Sequence, residues 1–176
     1  MIRWEVDTSE LKRLPIRKNP ARAQEISLNA FKITMNASLQ IMREAVVKNT
    51  PFAFGFLRNS IQGTVTELET IGEIEGRLAS SLQYALYVEE GTRPRRETGA
   101  KMPPAGPIRL WARRKLQLSG DDLERAVWFI RLKIYERGTK AARMFELGFE
   151  ETEPRVSRLF EQALDIIADK ITEELL

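Results

Sequence analysis

Ile26-Ser-Leu-Asn-Ala-Phe-Lys-Ile-Thr-Met-Asn-Ala-Ser-Leu-Gln-Ile-Met-Arg-Glu-Ala-Val46 decides the fold. Leu28, Phe31, Met35, Leu39, Met42 and Val46 recur at steps of three and four, the spacing that places side chains on one face of a helix. Upstream, Asn19-Pro20 supplies an N-cap and a proline at the first helical position, and downstream Pro51 stops the pattern, so a helix is predicted from 20 to about 48. A second row, Ile26, Ala30, Ile33, Ala37, Ile41 and Ala45, centres roughly opposite the first. A helix apolar on two faces must be covered twice. Two layers of its own domain would do this, the reading taken here, or one layer and a neighbouring subunit.

Beyond this helix the period changes. Ile61 to Thr70 is rich in Thr and Val, and Ile74, Gly76 and Leu78 alternate with Glu73, Glu75 and Arg77, the period-two mark of a half-buried antiparallel strand. The pair predicts a hairpin turning near 69 to 72. A short helical piece, Ser81 to Glu90, ends at Gly91 and opens a loop from 92 to 106 that carries Pro94, Gly99, Pro103, Pro104 and Gly106. Helices are predicted at Pro107 to Leu116 and at Asp121 to Arg137, with Gly138 as a stop, while 139 to 152 reads either way. The last helix, Glu153 to Leu175, shows a stripe of Val156, Phe160, Ala163, Ile167, Ile171 and Leu175. This order predicts an α+β fold: a long N-terminal helix packed on a small antiparallel sheet, a long basic loop, and C-terminal helices. Residues 1 to 18 lack a sustained period and read as an arm; 19 to 176 reads as one domain.

Composition narrows the chemistry. The chain has 176 residues, 43% hydrophobic and 30% charged, a globular mixture. It contains neither His nor Cys, which removes thiolate nucleophiles, disulfides, His-based acid/base triads and most zinc or copper sites. No cofactor is expected. The charged N-terminus lacks a signal-peptide core, and the longest strictly apolar run is Ala126 to Ile130, so a soluble chain without a membrane partner is expected.

Three polar groups invite a catalytic reading. Ser9-Glu-Leu-Lys12 fits the S-x-x-K pattern of acyl transfer, but no Ser-Asp-Asn or Lys-Thr-Gly element accompanies it, and a helix N-cap explains it better. Asp121, Asp122 and Glu124 resemble a carboxylate metal site, yet acids in a first helical turn complement the helix dipole, with Ser119 available as cap. Glu89 and Glu90, joined to Glu97 and Lys101 or to Asp121, would suit a metal-dependent nuclease if geometry gathered them. The stronger signal is electrostatic. Arg93, Arg95, Arg96, Lys101, Arg109, Arg113, Arg114 and Lys115 face only Glu97 within that stretch, a local charge of +7 suited to phosphate or to an acidic protein surface, or simply to solvation. Aromatic residues interleave there only at Trp111, which argues against base stacking. Trp128, Phe129, Ile130, Leu132, Ile134 and Tyr135 place bulky groups on several sides of one helix, more than a single core face covers.

Two segments carry a resemblance. Thr50-Pro51, then Gly55-Phe-Leu57-Arg58-Asn-Ser60-Ile61, is similar to the T-P-x-x-T-G-x-L-R-x-S-I signature of the tail-completion, or neck, proteins of long-tailed lambdoid-type phages and prophages. Tyr84-Ala-Leu-Tyr87-Val88-Glu89-Glu-Gly91-Thr92-Arg93 resembles that family's Y-A-x-Y-V-E-x-G-T-R segment, Met102-Pro103-Pro104 its M-P-x-P element, and Gly138-Thr139 with Phe145 its later G-T and F pair. Together these span roughly 25 to 165 in the family's order. Phe52-Ala53-Phe54 departs from the family's Val-Asp-Thr and makes this connection greasier, suited to docking on a neighbour.

The resemblance implies a non-enzymatic virion protein of the head-tail junction. It implies a homo-oligomeric ring, a hexamer when assembled, that meets a head connector and tail-tube or terminator proteins, with duplex DNA in its lumen. The motif residues then read as structural: Gly55 and Gly91 for chain reversal, Ser60 and Thr92 for local backbone groups, Tyr84, Tyr87 and Val88 for packing on the sheet, and Arg58 as a partner for Glu89. Contact with partner or DNA falls to the basic loop from Arg93 and to the two-faced helix. The competing expectations are a small basic DNA-binding module and, further off, the nuclease.

Overall fold

The computed structural model describes residues 2–5, 19–67 and 74–175. The fold is α+β, as the periodicities require. Helix α1 (Pro20–Asn49) begins where Asn19 Oδ1 accepts the Arg22 amide at 3.1 Å, the N-cap bond that satisfies an otherwise orphaned donor. Strands β1 (Ile2–Glu5), β2 (Ile61–Glu67) and β3 (Ile74–Ser80) form an antiparallel sheet in the order β1-β3-β2. In the β2-β3 hairpin Ile61 faces Ser80 and Glu67 faces Ile74; the turn expected at 69 to 72 lies outside the described residues. Strand β3 buries Ile74, Gly76 and Leu78 in strict alternation. Four residues of the expected arm form β1, where Ile2 faces Leu78. The remainder of 1 to 18, with Ser9 and Lys12, lies outside the described residues.

After β3 come α3 (Ala85–Glu90), α4 (Ala105–Lys115), α5 (Gly120–Arg137) and α6 (Met144–Leu175); the five-residue α2 (Phe56–Ser60) precedes β2. The start of α6 corrects the sequence reading. Pro154 sits inside the helix, which opens ten residues before it and takes in 144 to 152, part of the stretch that reads either way in the sequence. A proline there removes one backbone hydrogen bond and costs about 3 kcal/mol. Buried Met144, Phe145, Gly148 and Thr152 on the preceding turns offset that cost, and the Thr152 hydroxyl donates to the Gly148 carbonyl at 2.7 Å.

Contacts cluster into two compact units. The first joins residues 1–49, 59–81 and 144–176. In it α1 packs against β2, β3 and, most extensively, α6. Phe31, Met35, Leu39, Met42 and Val46 are buried, opposite Val156, Ala163, Ile167 and Ile171 of α6, and the Phe31 and Phe160 rings lie 6.4 Å apart. The second apolar row of α1 is covered only at its ends. Ile26 and Ala45 are buried, whereas Ile33 is 72% exposed and Ala37 is exposed, so full coverage by the chain's own layers is not what α1 receives. Instead Ile26, Ala30, Ile33 and Ala37 line an open groove of about 420 Å³ with Leu159, Ala163 and Ile166.

The second unit joins 50–58 to 82–143. Its α4-α5 hairpin buries Ala112, Leu123 and Val127 against partly covered Ala105, Ile108, Trp111 and Leu118. That is a small core for so many bulky residues.

Candidate functional site

The segments bearing the family resemblance build turns and ties. Arg58 donates from Nε and Nη2 to the carbonyl of buried Thr50, at 3.0 and 2.7 Å, which closes the 50–58 connection around Gly55 at φ 82°. Arg58 therefore takes a different partner from the Glu89 expected for it. Pro51 is exposed, while Leu57 and Ile61 are buried. The Ser60 and Ser80 hydroxyls share a hydrogen bond at 2.7 Å, and Arg43 Nε donates to the Ile61 carbonyl at 2.8 Å.

The second segment is pinned by the later G-T pair. Gly91 and Gly138 have φ of 74° and 71°, the left-handed region that glycine enters without penalty, and Thr92 and Thr139 pair in an isolated antiparallel bridge. Beside it the Ala142 amide donates to the Val88 carbonyl and the Arg143 amide to the Glu89 carbonyl. The tyrosines do not pack as expected. Tyr84 is 44% exposed and Tyr87 61%, because a helix of six residues has room to bury only Ala85.

The basic loop is folded rather than open. Turn hydrogen bonds join Glu97 to Pro94 and Thr98 and Ala100 to Arg95, the Arg96 amide donates to the Tyr135 carbonyl, and Arg95 Nη1 reaches the Lys101 carbonyl at 3.1 Å. Arg131 Nε donates to the Pro103 carbonyl at 2.7 Å, and Pro104 stands at the N-cap of α4. Arg93, Arg96 and Lys101 are exposed.

Among the expected contact cations, Arg109 is already committed. It forms a fork with Glu124, Nε to Oε1 at 2.6 Å and Nη2 to Oε2 at 2.7 Å. The Arg109 guanidinium holds the Glu124 carboxyl below the usual glutamate range. Glu124 lies outside 93 to 115 and reaches Arg109 from α5, so the local charge of that stretch does not contain it. Asp121 and Asp122 occupy the first turn of α5; Ser119 stands at the cap position without a side-chain cap bond. Among the described residues no three acidic side chains gather as a metal site would require, and no helix is long and apolar enough to cross a membrane.

Arg113, Arg114 and Lys115 are exposed in the last turn of α4. Here the structure brings together residues that the sequence keeps sixty apart. The Arg114 guanidinium lies 5.6 Å from the Phe54 ring centre, Lys115 Nζ lies 6.0 Å from that of Phe52, and Arg58 covers Phe52 at 5.2 Å. Phe54 and Phe56 are 6.3 Å apart, and Phe52 and Phe56 are 50% and 69% exposed. Aromatic interleaving of the basic helix is thus supplied from a distant loop, beyond the single Trp111 visible in sequence.

Exposed apolar residues concentrate in the second unit: besides Phe52 and Phe56 they include Leu86, Leu110 and the edge-to-face pair Trp128 and Phe129, whose ring centres are 5.2 Å apart. Charge divides along the same line. The second unit holds 15 Lys and Arg against 7 Asp and Glu, a net +8, and the first holds 13 against 18, a net −5. The chain matches no protein-family model, no curated protein and no solved structure.

Proposed function

We propose that this chain is a structural subunit of the head-to-tail junction of a tailed phage or prophage. Identical copies close into a ring, a hexamer on assembly, that joins the tail to the head connector and surrounds the DNA path. It meets connector and tail-tube or terminator proteins, reaches the virion neck from the host cytoplasm, and performs no catalysis. The resemblance of the Thr50 to Ile61 and Tyr84 to Arg93 segments supplies the family.

The observation that carries the reading is the apolar surface of the second unit. Trp128, Phe129, Phe56 and Tyr87 are each more than half exposed, more than a domain with a core of a few residues leaves open unless it is covered on assembly. Immunogold electron microscopy of particles assembled with this chain tests it. Label at the neck is expected; label in the capsid wall or at the tail tip refutes it.

A second reading, a basic DNA-binding module, is favoured by the +8 charge of the second unit. Duplex affinity that falls steeply with salt supports it, and absence of binding near physiological ionic strength removes it.

A further inference from the structure

We propose that the aromatic and cationic patch of the second unit, Phe52, Phe54, Phe56, Arg58, Arg114 and Lys115, docks on the outer face of α6 in a second copy of this chain. The inference rests on the ring reading above in supposing that copies meet, and it names the surfaces through which they do so.

The patch states what its occupant must be. Two of its three rings are half or more exposed, and the cations above them face ring quadrupoles rather than carboxylates: among the described residues neither Arg114 nor Lys115 has an ion-pair partner. Covering it favourably requires apolar contact for the rings and negative charge for the cations, together and at close range. A polyanion such as nucleic acid satisfies the cations, but it offers no apolar side chain to Leu116, 45% exposed next to Lys115.

The complementary surface is on the same chain. Helix α6 carries nine Asp and Glu against three Lys and Arg. Its solvent side aligns Glu161, Asp165 and Asp169 at successive four-residue steps, with Arg158 at the head of the row. Like charges at that spacing repel, and among the described residues no ion pair relieves the three acids. Leu164, 47% exposed, sits beside the row. Here is an acidic ridge with an apolar flank, the inverse of the patch. The net charges of the two units, +8 and −5, carry the same complementarity to longer range. Because the patch and the ridge are different surfaces, their meeting is head to tail, the geometry that closes rings when the rotation permits and extends filaments when it does not.

A chain without cysteine makes the test direct. Phe56→Cys and Leu164→Cys are prepared as separate full-length proteins, both substitutions falling on exposed positions. Mixed and oxidised, they should give a disulfide-linked heterodimer in at least tenfold excess over either protein oxidised alone. Arg114→Glu with Lys115→Glu in the first protein should reduce that yield tenfold or more, and Asp165→Lys with Asp169→Lys in the second should restore it. Circular dichroism on each variant confirms that the fold survives.

Oligomers seen by sedimentation without the heterodimer overturn this interface while leaving the ring reading intact. Heterodimer formation by a chain that is absent from the virion neck supports the interface and removes the ring reading. Monomers with no cross-link at any protein concentration overturn the proposal. So does a charge reversal that weakens binding of a single-stranded oligonucleotide and leaves the cross-link yield unchanged.

Discussion

Thr92 and Thr139, 47 residues apart, exchange backbone hydrogen bonds at 3.0 and 3.1 Å, and their hydroxyls lie 2.9 Å from each other. Each is preceded by a glycine at positive φ, so two Gly-Thr pairs form one clasp between the end of α3 and the end of α5.

The glycines, more than the hydroxyls, hold that clasp. A Cβ at Gly138 would collide with the Thr92 carbonyl oxygen, which is backbone and cannot swing away. Gly138→Ala is therefore expected to destabilise by about 2–4 kcal/mol, from positive-φ strain plus the clash. Thr139→Ala, which removes an exposed hydroxyl, should cost about 1 kcal/mol or less. Urea denaturation of the two variants checks the ranking; equal effects would mean that the side chains hold the bridge.

At Gly148 the ordinary rule for helices should reverse. Replacing glycine by alanine inside a helix usually stabilises by about 1 kcal/mol. Here a Cβ would sit 2.5 Å from a Val46 methyl and 2.8 Å from the Val46 amide nitrogen. Since α1 must shift to admit it, overpacking of about 1–3 kcal/mol outweighs the helical gain. A lowered melting temperature for Gly148→Ala is the expected result, and a raised one would place the two helices further apart.

Ser38 offers a stabilising change. Its hydroxyl is fully buried on α1 and, among the described residues, has no hydrogen-bond partner. An unsatisfied buried hydroxyl costs about 1–3 kcal/mol, and alanine is the better helix former. Ser38→Ala should raise the urea midpoint without changing the slope of the transition, and a lowered midpoint would show that the hydroxyl is satisfied.

The pH response follows from two exposed glutamates. Hydrogen bonding to Lys48, at 2.7 Å, holds the Glu151 carboxyl below its usual range, as Arg109 does for Glu124. A carboxyl whose folded pKa is depressed contributes stability above its unfolded pKa, and loses it as pH falls through the lower folded value. Melting temperature should thus hold nearly constant between about pH 6 and 8, where a chain without His or Cys has no ordinary side chain to titrate. It should decline below about pH 4, and Lys48→Met should flatten part of that decline. An unchanged acid slope in that variant would show that the Lys48 contact does not persist in solution.

What could be read from the residues was whatever local periodicity and capping determine. Asn19-Pro20 and Pro51 bracket α1 to within a residue, Ile74, Gly76 and Leu78 alternate as written, and Gly138 ends α5. The first turns of α6 fall in the stretch 139 to 152 that reads either way, because what decides them is the burial of Met144, Gly148 and Thr152, and Gly148 meets Val46 of a distant helix. Strand β1 is too short for its period to be seen, and its pairing depends on β3 some 70 residues away. The same limit hid the cation and ring cluster, since nothing near Arg114 or Lys115 announces Phe52 and Phe54. Arg109 was misjudged for the converse reason: its counter-charge, Glu124, belongs to the next helix.

The pairing of α1 with α6 also sets a timetable. Val46 and Gly148 are in contact across more than a hundred residues of chain, and the 50–58 and 82–143 segments are inserted between the pieces that complete the first unit. During synthesis the inserted residues leave the ribosome with all their own partners, whereas Met35, Met42 and Val46 wait for a helix not yet made. Such long-range closure is slow, and it leaves an apolar helix open to wrong associations in the interval. The second unit should therefore be the first to acquire protease resistance on a nascent chain, and chaperone demand should fall only once α6 emerges.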